Sequence, residues 1–198
     1  MAAGRLVGVP AVKIPATIAA EVATPVMGRA ATAAGFALLS IFWPGATNQV
    51  LAYSLAAFMV ISAKFLWDYA SAPSAPKRVR GLYAVAAVGM ILAGLVMAFR
   101  PETVVIGIAA AAAWIIAGVL EIVVYIRHRA GFVPFKDQLV TGFVSLGAGA
   151  ALLLGLDMDA HALLGLAGGG AILLAVFELI SAFGLRHAAK ETETGLWS

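Results

Sequence analysis

No cysteine occurs among the 198 residues. That excludes a disulfide framework, a thiolate metal site and a cysteine nucleophile. Charge is scarce too. Asp, Glu, Lys and Arg make up 12% of the chain, about half of the ~25% usual in soluble domains. The catalytic and nucleotide signatures HExxH, GxxxxGK[ST] and GxSxG are all missing. An enzyme is therefore not expected, nor is any cofactor. The net charge of +3 is small. It reads as loops facing anionic headgroups, and no nucleic-acid patch is visible.

Apolar residues dominate what remains. They form 63% of the chain, and the mean hydropathy is +1.00. A soluble domain of this length cannot hide so much apolar surface. Six apolar runs are predicted as spans: Val26–Trp43, Asn48–Tyr69, Gly81–Phe99, Thr103–Ile126, Gln138–Leu156 and Ala162–Leu185. Each is near the ~20 residues that cross a ~30 Å hydrocarbon core as helix. The fold class is thus all-α, a polytopic membrane protein in contact with the lipid bilayer.

The runs come in pairs joined by tight turns. Phe42–Thr47 reads FWPGAT, with Pro44 and Gly45 as breakers, and 57 residues on Phe99–Val104 reads FRPETV, with Pro101. After the same interval Leu156–His161 reads LDMDAH. The period predicts three helical-hairpin repeats, at about 29–69, 82–126 and 139–185. Residues 1–25, broken by Pro10, Pro15 and Pro25, are expected to form a cytoplasmic arm. An alternative places Ile14–Val26 on the membrane surface as a short helix. The transmembrane domain is expected over 26–186, with a charged tail at 187–198.

Eleven of 13 Lys and Arg fall on one side of this topology, with Arg100 alone on the other and Lys64 inside a span. The positive-inside rule then places both termini in the cytoplasm of a bacterial inner membrane. Arg29, read as lying near the start of span one, is expected to snorkel to the headgroups.

Some residues are candidates for chemistry. Lys64, Glu121 and Glu178 stand 57 residues apart within spans two, four and six. Charges inside a span are expensive unless paired, so they mark functional sites. A Lys facing two Glu makes a proton-responsive cluster, because burial and an ammonium act on a carboxyl in opposite directions. The plainer alternative is structural pairing, with Asp68 one turn from Lys64 as its partner. An alignment with a gap puts Leu66 opposite Glu121 instead of Lys64. Asp157, Asp159 and His161 form a weak candidate metal set in the third turn, with a solvated acidic loop as the alternative. Small residues at intervals of four suggest helix packing: Gly165 and Gly169 in span six, and Gly147, Ala151 and Gly155 in span five. The same faces suit a homo-oligomer or a larger membrane partner.

The turn FWPGAT, the AGVLEIVVYIRHR ending of span four and the LLAVFELISAFGLRH ending of span six are similar to the HdeD-like family of small bacterial membrane proteins. The resemblance covers about Arg29–His187. It implies six spans in three repeats, and a role in acid or envelope stress without a mechanism. The third turn departs from the pattern, with Met158 where a Pro is expected. The residues leave two other roles open: an accessory subunit packed on a larger membrane enzyme or transporter, and a small conduit for protons or a solute.

Overall fold

The computed structural model describes residues 15–128 and 137–193. The segments at 1–14, 129–136 and 194–198 lie outside it, and with them most of the expected N-terminal arm, part of the second basic linker and the end of the tail. Among the described residues there are six helices and no strand: α1 (Ala16–Phe42), α2 (Asn48–Ala70), α3 (Lys77–Phe99), α4 (Thr103–His128), α5 (Gln138–Leu154) and α6 (Ala160–Glu193). Five are long and apolar enough to cross a membrane, and α5, at 17 residues, is shorter. The chain is a multi-pass helical membrane protein.

Three boundaries differ from expectation, the last being that α6 continues to Glu193, eight residues beyond Leu185 and into the expected tail. Helix α1 starts at Ala16 and runs unbroken through Pro25. A proline inside a helix removes one hydrogen bond, but membrane helices tolerate this where neighbours pack around the site. Pro25 is buried here, with Ala19, Val22, Ala23 and Val26. Residues 16–25 thus belong to the bundle. Helix α3 starts at Lys77, directly after Pro76, so three basic residues sit in or just after its first turn. Arg80 turns back and donates to the carbonyls of Ala72, Pro73 and Ala75 at 3.1–3.2 Å. Ser74 donates to Glu21 of α1 through its amide at 3.2 Å and its hydroxyl at 2.6 Å. The α2–α3 linker is thereby tied to the start of α1.

The helices form a closed ring. Each packs on its neighbours in sequence, and α1 closes against α6 in the most extensive contact of all. The even helices α2, α4 and α6 also touch one another across the centre.

The burial pattern fixes the register of the repeats. Each buried position of α2 from Leu51 to Tyr69 falls on a buried position of α4 at an offset of 55, and α4 maps onto α6 at 57 with two half-buried exceptions. The odd helices follow suit, α1 to α3 at 57 and α3 to α5 at 55. The cause is the middle turn. Residues 43–47 and 155–159 make five-residue turns, whereas 100–102 has three. The first turn needs Gly45, whose φ of 66° lies in the left-handed region. In this register Thr47, Glu102 and Asp159 precede the first residues of the three even helices. Thr47 accepts from the amide of Val50 at 3.3 Å, and Asp159 accepts from the amide of Ala162 at 2.8 Å. Both satisfy amides that a helix start leaves open.

Candidate functional site: a buried arginine between two glutamates

The corrected register changes the intramembrane cluster. At offsets of 55 and 57 the equivalent residues of the even helices are Leu66, Glu121 and Glu178, and all three are buried. Lys64 lies on another face. Its ammonium pairs with Asp68 one turn on, and the two side chains are 66% and 40% exposed. The structure therefore does not bring Lys64 to the glutamates. An exposed pair of this kind contributes little to stability.

The cation at the glutamates is Arg29. It is the fourteenth residue of α1, roughly 20 Å from the helix start at 1.5 Å per residue. Its Nη2 stands 2.9 Å from Glu121 Oε1 and 2.9 Å from Glu178 Oε1. The side chains are 13%, 1% and 5% exposed respectively. One nitrogen thus bridges carboxylates from α4 and α6. Snorkelling is not what Arg29 does, because it starts too deep and has two acids within reach. Reading Pro25 as a break hid this, since it placed the helix start too close to Arg29. A charge count within the spans offered the missing signal: two unmatched acids require a deep base.

The surroundings are arranged in layers. On the side of the α2–α3 linker, the rings of Tyr69 and Tyr83 meet edge to face at 5.6 Å. On the side of the tight turns, buried Ser62 and Ser145 come first. Beyond them is an aromatic layer, with Phe36 stacked on Phe58 at 4.9 Å and Phe58 edge-on to Trp114 at 5.9 Å. Two small cavities flank the ion pairs. One, of about 20 Å³, is lined by Arg29, Ser62, Trp114, Ser145 and Glu178 among others. The second, of about 10 Å³, is lined by Arg29, Asp137, Gln138, Glu178 and Ser181 among others. A water needs roughly 10–15 Å³, so each has room for about one. Three buried polar atoms here have no hydrogen-bond partner among the described residues, Glu121 Oε2, the Tyr83 hydroxyl and Gln138 Oε1. With both carboxyls ionised, the two acids exceed the single guanidinium by one negative charge.

The remaining candidates are dispersed. Asp159 caps α6, and His161 Nδ1 accepts from the Ala46 amide at 3.5 Å. Asp157 is exposed. Among the described residues no three His, Cys, Asp or Glu side chains are grouped to hold a metal ion. Gly165, Gly169 and Gly147 meet no other helix and face outward. Ala151 is half-buried, and a Cβ at Gly155 would stand 2.8 Å from Leu166. The close helix crossings lie elsewhere. A Cβ at Gly118 would stand 2.6 Å from the carbonyl oxygen of Gly142, and one at Gly142 would stand 2.9 Å from that of Gly118. Period-four spacing does not report which face a glycine occupies, so of the residues it selected Gly155 lies at a close approach and Gly147, Gly165 and Gly169 do not.

Comparison with known proteins agrees with the repeat. The family described as "Short repeat of unknown function (DUF308)" matches twice, at residues 28–99 and 85–154. The two matches start 57 residues apart and together span 127 of the 198 residues. No curated protein and no solved structure matched. With the repeat unit recognised twice across most of the bundle, the chain belongs to the DUF308 short-repeat family.

Proposed function

We propose that this is a non-enzymatic inner-membrane protein of HdeD-like type, with a role in acid or envelope stress, whose working part is the Arg29–Glu121–Glu178 centre. HdeD-like proteins belong to the matched family, and the resemblance in the turn and in the ends of spans four and six supports the finer assignment. The observation that carries the mechanism is the bridging of two buried carboxylates by one guanidinium nitrogen at 2.9 Å. Such a centre has one acid more than it has base, so it can accept a proton without acquiring a net positive charge. Accepting it leaves one neutral carboxyl and one ion pair, and shifts the balance between the α1–α4 and α1–α6 contacts. The titratable neighbours are Tyr69, Tyr83 and, beside the smaller cavity, Asp137. A conduit for a larger solute fits less well, because the cavities take about one water each and the Phe36–Phe58–Trp114 layer follows directly.

The test is a comparison of thermal unfolding in detergent from about pH 5 to about pH 8. The wild type should show a pH-dependent Tm, and Glu121→Gln and Glu178→Gln should flatten it while the helical content is kept. Two variants with the slope of the wild type would show that the centre is only a structural ion pair.

The orientation is proposed on the same basis as before, with both termini cytoplasmic. Moving Arg29 into the bundle leaves ten of 13 basic residues on the terminal side, so the asymmetry persists. A reporter at the C-terminus should behave as cytoplasmic and one inserted at Ala46 as external. The opposite pattern would overturn the orientation.

A further inference from the structure

At the terminal end of the bundle, α3 begins beside the end of α4. A cavity of about 520 Å³ opens there, lined by Arg78, Leu82, Arg127 and His128. Among the described residues its charged lining is of one sign. Arg78 and Arg127 are exposed, and neither has a hydrogen bond or ion pair among the described residues. Their neighbour Arg80 is different, being committed to three linker carbonyls. The first turn of α3 carries no acid, and no side chain caps it, so its positive end adds to the same field. Two unpaired guanidinium groups, a helix start and a cavity large enough for a phosphate ester therefore coincide.

We propose that this cavity is a binding site for the phosphate of an anionic phospholipid headgroup. Arg78 from α3 and Arg127 from α4 supply planar donors that match phosphate oxygens. His128 lines the same wall, and Leu82 meets the glycerol end. The lipid source is favoured over a free phosphate by what adjoins the cavity. Val85 and Val88 on α3 and Val119 and Ile126 on α4 are exposed apolar residues, and acyl chains attached to a seated headgroup would cover them. Basic pockets between helices at this depth are of the type that holds anionic headgroups.

The full chain, purified in mild detergent from vesicles of equal phosphatidylglycerol and phosphatidylcholine, would be examined by native mass spectrometry. The wild type should retain phosphatidylglycerol in preference to phosphatidylcholine. Arg78→Gln and Arg127→Gln should each lower that retention about five-fold, on the scale expected for one cationic contact at a membrane surface. Arg127→Lys keeps the charge but loses the planar fork, and should fall between. Arg186→Gln removes one charge from the same end of the bundle outside the cavity, and should leave retention unchanged. Equal losses in Arg186→Gln and the cavity variants would reduce the site to diffuse attraction and overturn the proposal. Unchanged retention in both cavity variants would do the same. Displacement of the lipid by inorganic phosphate at low millimolar concentration would overturn the lipid assignment in favour of a soluble anion. None of these outcomes depends on the Arg29 centre.

Discussion

Arg29→Leu should unfold or severely weaken the bundle, costing about 3–5 kcal/mol. The loss is not that of one good contact. Removing the guanidinium leaves Glu121 and Glu178 facing each other with 1% and 5% exposure, and a buried charge without its partner is among the costliest defects a fold can carry. The cleanest measurement is thermal unfolding of single, double and triple variants in one detergent. Arg29→Leu combined with Glu121→Leu and Glu178→Leu should recover most of the stability, because apolar residues of similar volume commonly replace a buried ion pair at no net cost. The triple variant should also lose the pH dependence of Tm. An Arg29→Leu protein as stable as the wild type would mean that the centre is solvated or dispensable.

Gly118→Val should have the next largest effect. The added Cβ would stand 2.6 Å from the backbone oxygen of Gly142 and 3.0 Å from the backbone nitrogen of Leu146. Neither atom can swing aside as a side chain could, so α4 and α5 must separate. Overpacking of this kind costs about 1–3 kcal/mol, and valine, branched at Cβ, should reach the upper end. Gly147→Ala is the control, since nothing lies within 4 Å of its would-be Cβ. Unfolding midpoints that are equal for the two variants would show that α4 and α5 do not cross at Gly118.

The architecture was legible because its signals are large and repeated. Six apolar runs, punctuated by Pro44-Gly45 and Pro101, can hardly be read as anything but membrane helices, and the 57-residue period is visible without alignment. The site was half legible. Glu121 and Glu178 stood out as acids in apolar runs, and of the two readings of Lys64 its pairing with Asp68 is the one seen, but Arg29 was not read as the partner of the glutamates. The two-residue shortening of the turn at 100–102 moves every later residue of the second hairpin relative to the first, and a fixed period cannot see it. A two-residue shift turns a helix by about 200°, enough to exchange a buried face for an exposed one. The glycines failed for a related reason. Spacing tells that Gly165 and Gly169 share a face, whereas only the packing tells that this face is the outer one.

The closure of the ring by α1 and α6 bears on how the chain is made. Arg29 emerges in the first span, Glu121 follows 92 residues later, and Glu178 arrives only in the last span, 149 residues after Arg29. At a synthesis rate of ~5–20 residues per second, the first span waits roughly 7–30 s for its second acid. For the first roughly 5–18 s of that interval, until Glu121 emerges 92 residues after Arg29, the nascent protein holds an unpaired cation at membrane depth, where an unshielded charge is strongly disfavoured. A chain that stops before α6 keeps its first and last seams open and lacks one of the two acids that bridge through Arg29. Completion of the sixth span is thus the event that seals the bundle, because α6 closes the ring against both α1 and α5.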